Sequence, residues 1–307
     1  MALPALLAIP NISEGRDPQT IRTIAQAFVH DGAAIRLLDV HTDSDHHRSV
    51  FTLAGTSGGL ADALLRGAAA AIARIDVISR AEHGDPHPGQ HPHVGAVDVA
   101  PLVYLDSSAR GAACAEALVV ADRIAHELEV PVFLYGELSD AGTGSTRTRA
   151  ELRRGGVIGL AARMLAAKQP LRPDFGPPRM HPSAGATLVA ARPPLVAFNL
   201  QLAAPATMAD ARAIAATIRE GGAQGLPGVR AIAVELTGGV AQVSTNVERP
   251  FEIALAEVVD AVRAHAPLAS AELVGLAPAA ALAGFPHDDV AILGFDPARH
   301  VIENALG

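Results

Sequence analysis

Apolar positions in the first half of the chain alternate between short runs and helical spacing. Residues 5–10 form a short apolar run that ends in a polar turn, a pattern typical of a strand. Asp17 and Pro18 then precede apolar residues at helical spacing, which predicts a helix with Asp17 as its N-cap. The order β-α-β-β-α-β follows from strands at 5–10, 34–40, 49–54 and 97–104, and helices from Asp17 and over 57–75.

The second half repeats this order after an irregular stretch. Residues 170–194 are rich in Pro, Gly and Arg and have no periodicity, so they predict a long connection between domains. Gly238 and Gly239 separate two apolar runs, which is a strong hairpin signal. The predicted strands are 195–202, 229–236, 240–244 and 271–276, and the predicted helices are 207–220 and 251–265.

The doubled pattern predicts an α/β (α+β) protein of two subdomains, residues 1–193 and 194–307. Each is expected to be a ferredoxin-like β-α-β-β-α-β layer, with a mostly antiparallel sheet and helices on one face. We expect the ligand groove between the subdomains, because domain interfaces commonly hold ligand sites.

Composition narrows the classes of partner. The chain has 307 residues, a net charge of −8 and no tryptophan, which argues against nucleic-acid binding. No uncharged apolar run approaches the length of a membrane helix, and the single cysteine, Cys114, excludes an internal disulfide framework. These features predict a cytoplasmic protein that acts on small molecules. An anionic substrate requires arginines to be gathered locally against the overall negative charge.

A histidine-rich segment carries the candidate chemistry. Residues 86–98 contain three histidines, three prolines and two glycines, which predicts a shaped loop that enters a buried strand. Histidine titrates near neutral pH, so the loop is suited to proton transfer or metal binding, although an exposed connector has the same composition. A metal site would use His87, His91 and His93 beside Asp43 or Asp45, but the spacing matches no specific zinc signature.

The same segment carries a resemblance to a known family. It resembles the signature of the glutamate formiminotransferases in His87-x-Gly89-x-His91-Pro92-x-x-Gly95-Ala96-x-Asp98. Further similarities follow in chain order, at residues 10–15, 38–52, 130–137, 172–187, 241–246 and 272–278.

The resemblance implies a transferase that moves the formimino group of N-formimino-L-glutamate to N5 of tetrahydrofolate. It implies His91 as the catalytic general acid/base, tetrahydrofolate as co-substrate, no metal, and a homodimer as a possible assembly. Asp98 is a candidate to orient a ring nitrogen of His91. Arg48 and Asn11 are the expected substrate-binding residues. The expected folate-binding residues are Gly176, Pro177, Pro178, Arg179, Met180, His181, Pro182, Ser183, Ala184 and Gly185.

Several alternatives stay open. His41, His47 and His93 depart from the family pattern, which leaves room for another one-carbon donor such as a formyl amino acid. A metal-dependent enzyme that uses the histidine loop and a non-catalytic folate-binding protein are the other two. Arg149 and Arg153 share a helical face that is either solvated or a clamp for glutamyl or folate carboxylates.

Overall fold

The structure is a computed structural model that describes residues 5–29, 35–84, 89, 92–139 and 146–307. It is a mixed α/β protein with two sheets, so the predicted α/β class is confirmed. The chain divides into two compact units, Met1–Pro193 and Pro194–Gly307. Within the described residues, no helix combines the length and the hydrophobicity needed to cross a membrane.

The first unit is built around a seven-stranded sheet with the order β1-β4-β2-β5-β7-β6, in which β3 pairs with β4. The pairs among β1 to β5 are antiparallel, whereas β7 runs parallel to both β5 and β6. Its strands are β1 (Ala5–Ala8), β2 (Asn11–Ile12), β3 (Arg36–Asp43), β4 (Arg48–Thr56), β5 (Val97–Tyr104), β6 (Val132–Leu134) and β7 (Thr187–Arg192). Its helices are α1 (Pro18–Phe28), α2 (Gly59–Ile72), α3 (Val77–Glu82), α4 (Arg110–Glu127), α5 (Arg149–Arg153) and α6 (Gly156–Met164).

Strand β7 corrects one expectation from the sequence. It lies inside residues 170–194, which were predicted to be an irregular connection. Leu188 and Ala190 join the apolar cluster that includes Leu160 of α6, whereas Val189 and Ala191 join the cluster of α1, α2 and α4. A parallel strand covered on both faces has no alternation of apolar and polar residues, and this one is only six residues long in a stretch rich in Pro, Gly and Arg. The expectation of helices on one face is therefore wrong for this unit.

The entry to α1 is as the sequence predicts. Asp17 Oδ1 accepts a hydrogen bond from the backbone nitrogen of Gln19 at 2.9 Å, and Pro18 is the first helical residue. Ile24 and Phe28 are buried, and the Phe28 ring lies 5.2 Å from the Phe51 ring. Helix α2 comes close to Phe28 because Gly67 has no side chain: a Cβ there would lie 2.0 Å from the Phe28 ring.

The second unit has a four-stranded antiparallel sheet with the order β11-β8-β10-β9. Its core consists of apolar residues from the sheet and from the two longer helices, including Phe198, Ile214 and Val258. The elements are β8 (Val196–Leu202), α7 (Met208–Ile218), β9 (Val229–Leu236), β10 (Val240–Val247), α8 (Leu255–Arg263), β11 (Leu268–Val274), α9 (Pro297–His300) and α10 (Ile302–Leu306).

Candidate active site

Three strands of the first unit bring the candidate residues to one edge of the sheet. Strand β2 ends at Ile12 and is antiparallel to β4 and β5, which begin at Arg48 and Val97. The carboxyl end of β2 therefore lies beside the amino ends of β4 and β5. His87 and His91 of the histidine loop lie outside the described residues. The end of the loop, from Pro92 and His93 onward, is described.

Asp98 is the centre of this edge. Its side chain is fully buried, and Oδ1 accepts a hydrogen bond from the backbone nitrogen of Val94 at 2.9 Å. Oδ2 accepts from Arg48 Nη2 at 3.2 Å and from Arg153 Nη2. Burial works against the charged form, but Arg153 and Arg48 outweigh it and lower the pKa of Asp98. Asp98 is thus an ionised carboxylate that fixes the exit of the histidine loop.

The neighbouring groups are also perturbed. Burial and the adjacent Arg153 lower the pKa of Arg48 to about 10, so its guanidinium remains charged at neutral pH. Burial also lowers the pKa of His93, and Asp98 opposes this effect only in part. His93 is therefore neutral at pH 7 and presents one nitrogen that can accept a proton or a hydrogen bond.

A second buried carboxylate, Glu14, lies in the turn after β2. Its Oε1 accepts hydrogen bonds from the backbone nitrogens of Arg16 and Asp17 at 2.9 and 3.0 Å, and Oε2 accepts from Arg80 Nη2 at 2.8 Å. Burial disfavours the charged form, but these hydrogen bonds outweigh it and lower the pKa of Glu14. The result is an ion pair that joins the β2 turn to α3.

His47 lies against this ion pair. The backbone nitrogen of Gly15 is 3.1 Å from His47 Nδ1, and Arg80 Nη1 is 3.2 Å from His47 Nε2. A neutral imidazole has only one acceptor nitrogen, so only one of these two N–H groups donates to the ring. The departure from the family pattern at His47 thus falls on a residue that contacts the charged side chains of Glu14 and Arg80.

The C-terminal end of the predicted folate segment meets the exit of the histidine loop. The Ala184 carbonyl accepts a hydrogen bond from the backbone nitrogen of Ala96 at 2.9 Å. A Cβ on Gly95 would lie 1.9 Å from the Ala186 carbonyl oxygen, and one on Gly185 would lie 2.3 Å from the Val94 carbonyl oxygen. The two glycines of the motifs therefore allow two backbones to touch.

The start of the folate segment lies beside β6 and α4. Phe175 forms a bridge to Val132 at the start of β6, and a Cβ on Gly176 would lie 3.0 Å from Ala125 Cβ of α4. Pro178, Arg179 and Pro182 are exposed. His181 Nδ1 accepts from the backbone nitrogen of Ala184 at 3.0 Å, and burial lowers its pKa. Its proton therefore resides on Nε2.

The structure brings together some of the predicted residues and adds others. Arg48, Asp98 and the end of the folate segment share one edge, and Asn11 lies opposite Val99 in the strand that separates β4 from β5. The Asn11 amide donates to the Ile9 carbonyl at 3.1 Å. The proposed contact between Asp98 and the His91 ring lies outside the described residues.

Sequence reasoning missed Arg80, which carries no motif, and Arg153 was recognised only as part of a basic helical face. Their partners, Glu14 and Asp98, are 66 and 55 positions away in the chain, so only the fold reveals the pairing. The part of the chain that the structure describes holds no group of three or more His, Cys, Asp or Glu arranged for a metal ion, and His87 and His91 are outside that part.

These features define a mixed α/β protein with a histidine loop anchored to a buried Arg–Asp–Arg cluster. Residues 5–192 match the formiminotransferase domain, N-terminal subdomain. The chain is 33% identical over 305 residues to the glutamate formimidoyltransferase of Streptococcus pyogenes serotype M1, with 97% of each chain covered. It belongs to the formiminotransferase family, and the resemblance found in the sequence is confirmed.

Two further relatives differ in length. The glutamate formimidoyltransferase of Thermoplasma acidophilum is 31% identical over 295 residues, which cover 94% of this chain and 93% of the relative. The formimidoyltransferase-cyclodeaminase of Sus scrofa is 36% identical over 291 residues, 89% of this chain but 50% of the relative. The chain thus spans about half the length of this two-activity relative.

Proposed function

We propose that this protein transfers the formimino group of N-formimino-L-glutamate to N5 of tetrahydrofolate and releases glutamate. The observation that carries the proposal is the similarity over 97% of the chain to a glutamate formimidoyltransferase. The arginine-rich edge around Asp98 provides the local positive charge that an anionic donor requires in a protein of net charge −8.

The reaction requires two proton transfers. The N5 amine attacks the amidine carbon and must lose a proton, and the departing glutamate nitrogen must gain one. His91 is proposed to carry both transfers as general base and then general acid. Support comes from the chain itself: His91 is three residues before Val94, whose backbone nitrogen is held by the buried Asp98. The anchor restricts where the end of the loop can be, and Pro92 favours extended backbone at His91.

The binding roles follow the family motifs. Arg48 is proposed to bind a carboxylate of the donor, because a charged guanidinium suits bidentate carboxylate recognition. Asn11 is proposed as a second donor contact, and residues 176–185 as the folate contact.

We also propose that each unit contains a ferredoxin-like β-α-β-β-α-β layer. In the second unit, the element order β8-α7-β9-β10-α8-β11 with the sheet order β11-β8-β10-β9 supports a ferredoxin-like layer. In the first unit, β1 to β5 with α1 and α2 support the same plan, extended by β6 and β7.

The test is an assay of glutamate release from formiminoglutamate in the presence of tetrahydrofolate. The wild type is expected to release glutamate only when both substrates are present, and His91→Ala should lower kcat by about 10²–10⁴-fold. Folate affinity of His91→Ala should be close to that of the wild type, because the folate contacts are elsewhere. His93→Ala is the matched control and should lose less activity.

A parallel assay with N-formylglutamate tests which donor the protein uses. The reason for the test is that His47, which departs from the family pattern, contacts Glu14 and Arg80 in the site. If transfer from N-formylglutamate is faster than transfer from formiminoglutamate, the donor is a formyl amino acid and the proposed donor is wrong. Near-normal activity of His91→Ala would refute the general acid/base assignment.

A further inference from the structure

Two guanidinium groups share one carboxylate oxygen at the candidate site. Arg48 Nη2 and Arg153 Nη2 both donate to Asp98 Oδ2. Arg149, at the other end of the short helix α5, is close enough to contribute to the lowered pKa of Arg48. The single negative charge of Asp98 therefore faces two guanidinium charges directly.

A second acidic side chain, Asp43, also acts on Arg48. Asp43 raises the pKa of Arg48, but its Oδ1 accepts from the backbone nitrogens of Asp45 and His46, and its Oδ2 lies 3.7 Å from His46 Nε2. Like charges held this close repel each other in a partly buried setting, where solvent screens them weakly. The carboxylate of an incoming anion would therefore offset the repulsion between the Arg48 and Arg153 guanidiniums, which share one oxygen of Asp98.

The three charged groups differ in accessibility. The Asp98 side chain is 0% exposed, whereas Arg48 and Arg153 are 14% and 12% exposed. A ligand can therefore reach the guanidiniums but not the carboxylate that holds them. In addition, Arg153 Nε is buried and has no hydrogen-bond acceptor among the residues that the structure describes. Buried donors without an acceptor are uncommon in native proteins, so Arg153 Nε is available to donate to a ligand.

We propose that Arg153 is a second carboxylate-binding residue, and that Arg48 and Arg153, held by Asp98, form one site for a carboxylate of a glutamyl group. The identity of the ligand rests on the proposed function, in which both the donor and the folate carry glutamyl carboxylates. A planar guanidinium pair oriented by a buried counter-ion is preorganised for a carboxylate, so little ordering is needed when the ligand binds. A purely structural pairing with Asp98 is the competing explanation.

The experiment measures binding by calorimetry, so it does not depend on formimino transfer. The probes are L-glutamate, tetrahydrofolate, and tetrahydropteroate, which lacks the glutamate tail. The variants are Arg153→Gln, which removes the charge, and Arg153→Lys, which keeps the charge but not the planar fork. Arg154→Gln is the matched control, because Arg154 is the exposed neighbour and its loss changes net charge equally.

We expect Arg153→Gln to weaken binding of a glutamyl carboxylate about 10- to 100-fold, Arg153→Lys to weaken it less, and Arg154→Gln to leave it unchanged. A loss seen with L-glutamate places the site on the donor. A loss seen with tetrahydrofolate but not with tetrahydropteroate places it on the folate tail. Either result supports the carboxylate site.

Three results would overturn the proposal. The first is wild-type affinity of Arg153→Gln for both L-glutamate and tetrahydrofolate. The second is an equal loss for tetrahydropteroate accompanied by a lower Tm in both Arg153 variants, which indicates a structural role. The third is a wild-type protein that binds no L-glutamate and binds tetrahydropteroate as tightly as tetrahydrofolate. Failure of the proposed transferase activity would instead appear as absent turnover with these affinities intact.

Discussion

The carboxylate of Glu116 in α4 lies 2.7 Å from the backbone nitrogen of Ala61 in the first turn of α2. The same carboxylate accepts from the backbone nitrogen of Gly58 at 2.6 Å and from Ser57 Oγ at 3.1 Å. Gly58 is the N-cap of α2 and has no side chain to cap the helix. A residue of another helix therefore accepts from two backbone N–H groups at this terminus and links α4 to α2.

Removal of this cap should destabilise the first unit. Glu116 is only 3% exposed, so Glu116→Ala removes the acceptor of two backbone N–H groups, those of Gly58 and Ala61, and of the Ser57 hydroxyl. We expect a loss of about 2–4 kcal/mol in the free energy of unfolding, and a loss of about half that for Glu116→Gln, which keeps one acceptor oxygen. Urea denaturation monitored by circular dichroism measures both.

Glu127→Ala provides the comparison on the same helix. Glu127 is half exposed and pairs with Arg123 at the surface, so its loss should cost no more than about 1 kcal/mol. Equal effects of Glu116→Ala and Glu127→Ala would show that the cap contributes nothing beyond a surface charge.

The helices were predictable where local signals exist and not where they depend on distant residues. Asp17 and Pro18 mark the start of α1 in the sequence, and the structure uses them as predicted. The cap of α2 by Glu116 is invisible to local reasoning, because the two are more than fifty positions apart. Strand β7 was missed because burial on both faces removes the alternation that marks a half-exposed strand, and because its six residues lie in a stretch rich in Pro, Gly and Arg.

In the candidate site, too, local motifs were predictable from the sequence and contacts between distant residues were not. Motif reasoning selected Arg48 and the glycines of the histidine loop, and the close approach of Gly95 to Ala186 gives a physical reason for one of them. The pairing of Arg153 with Asp98 and of Arg80 with Glu14 requires the fold, because a charge in a helix could equally face solvent. The role of His91 stays a prediction.

Glu14 should make stability depend on pH. Its folded pKa lies below the ordinary value of 4.5, mainly because its hydrogen bonds with Arg80 and two backbone nitrogens outweigh burial. The stabilisation from the ionised group is therefore fully present above the unfolded pKa of about 4.5 and is lost as pH falls through the lower folded pKa. Glu14→Gln should cost about 1–3 kcal/mol at pH 7, and the gap to wild type should narrow below about pH 4.5.

Unfolding curves in guanidinium chloride at several pH values between 3 and 7 measure this difference in the free energy of unfolding. Glu82→Gln on α3 is the control, since Glu82 is exposed and should show a small difference at every pH. A gap for Glu14→Gln that stays constant down to pH 3 would be inconsistent with a lowered folded pKa.

Gly95 should tolerate no side chain, because the loop exit and the folate segment touch there. A Cβ at Gly95 would lie 1.9 Å from the Ala186 carbonyl oxygen and 2.8 Å from that of Ala184. Both atoms belong to the backbone, so no rotamer change relieves the clash, and the two segments must separate. Gly95→Ala should therefore cost about 2–4 kcal/mol and weaken folate binding.

Gly111 in the first turn of α4 is the matched glycine. A Cβ there meets nothing within 4 Å, and alanine favours helix by about 0.5–1 kcal/mol over glycine. Gly111→Ala should be neutral or slightly stabilising and should bind folate as the wild type does. Thermal unfolding and titration with tetrahydrofolate on both variants measure the two effects together. If Gly95→Ala matched Gly111→Ala in Tm and in folate affinity, the contact between residues 94–96 and 184–186 would not be the feature that holds the loop exit in place.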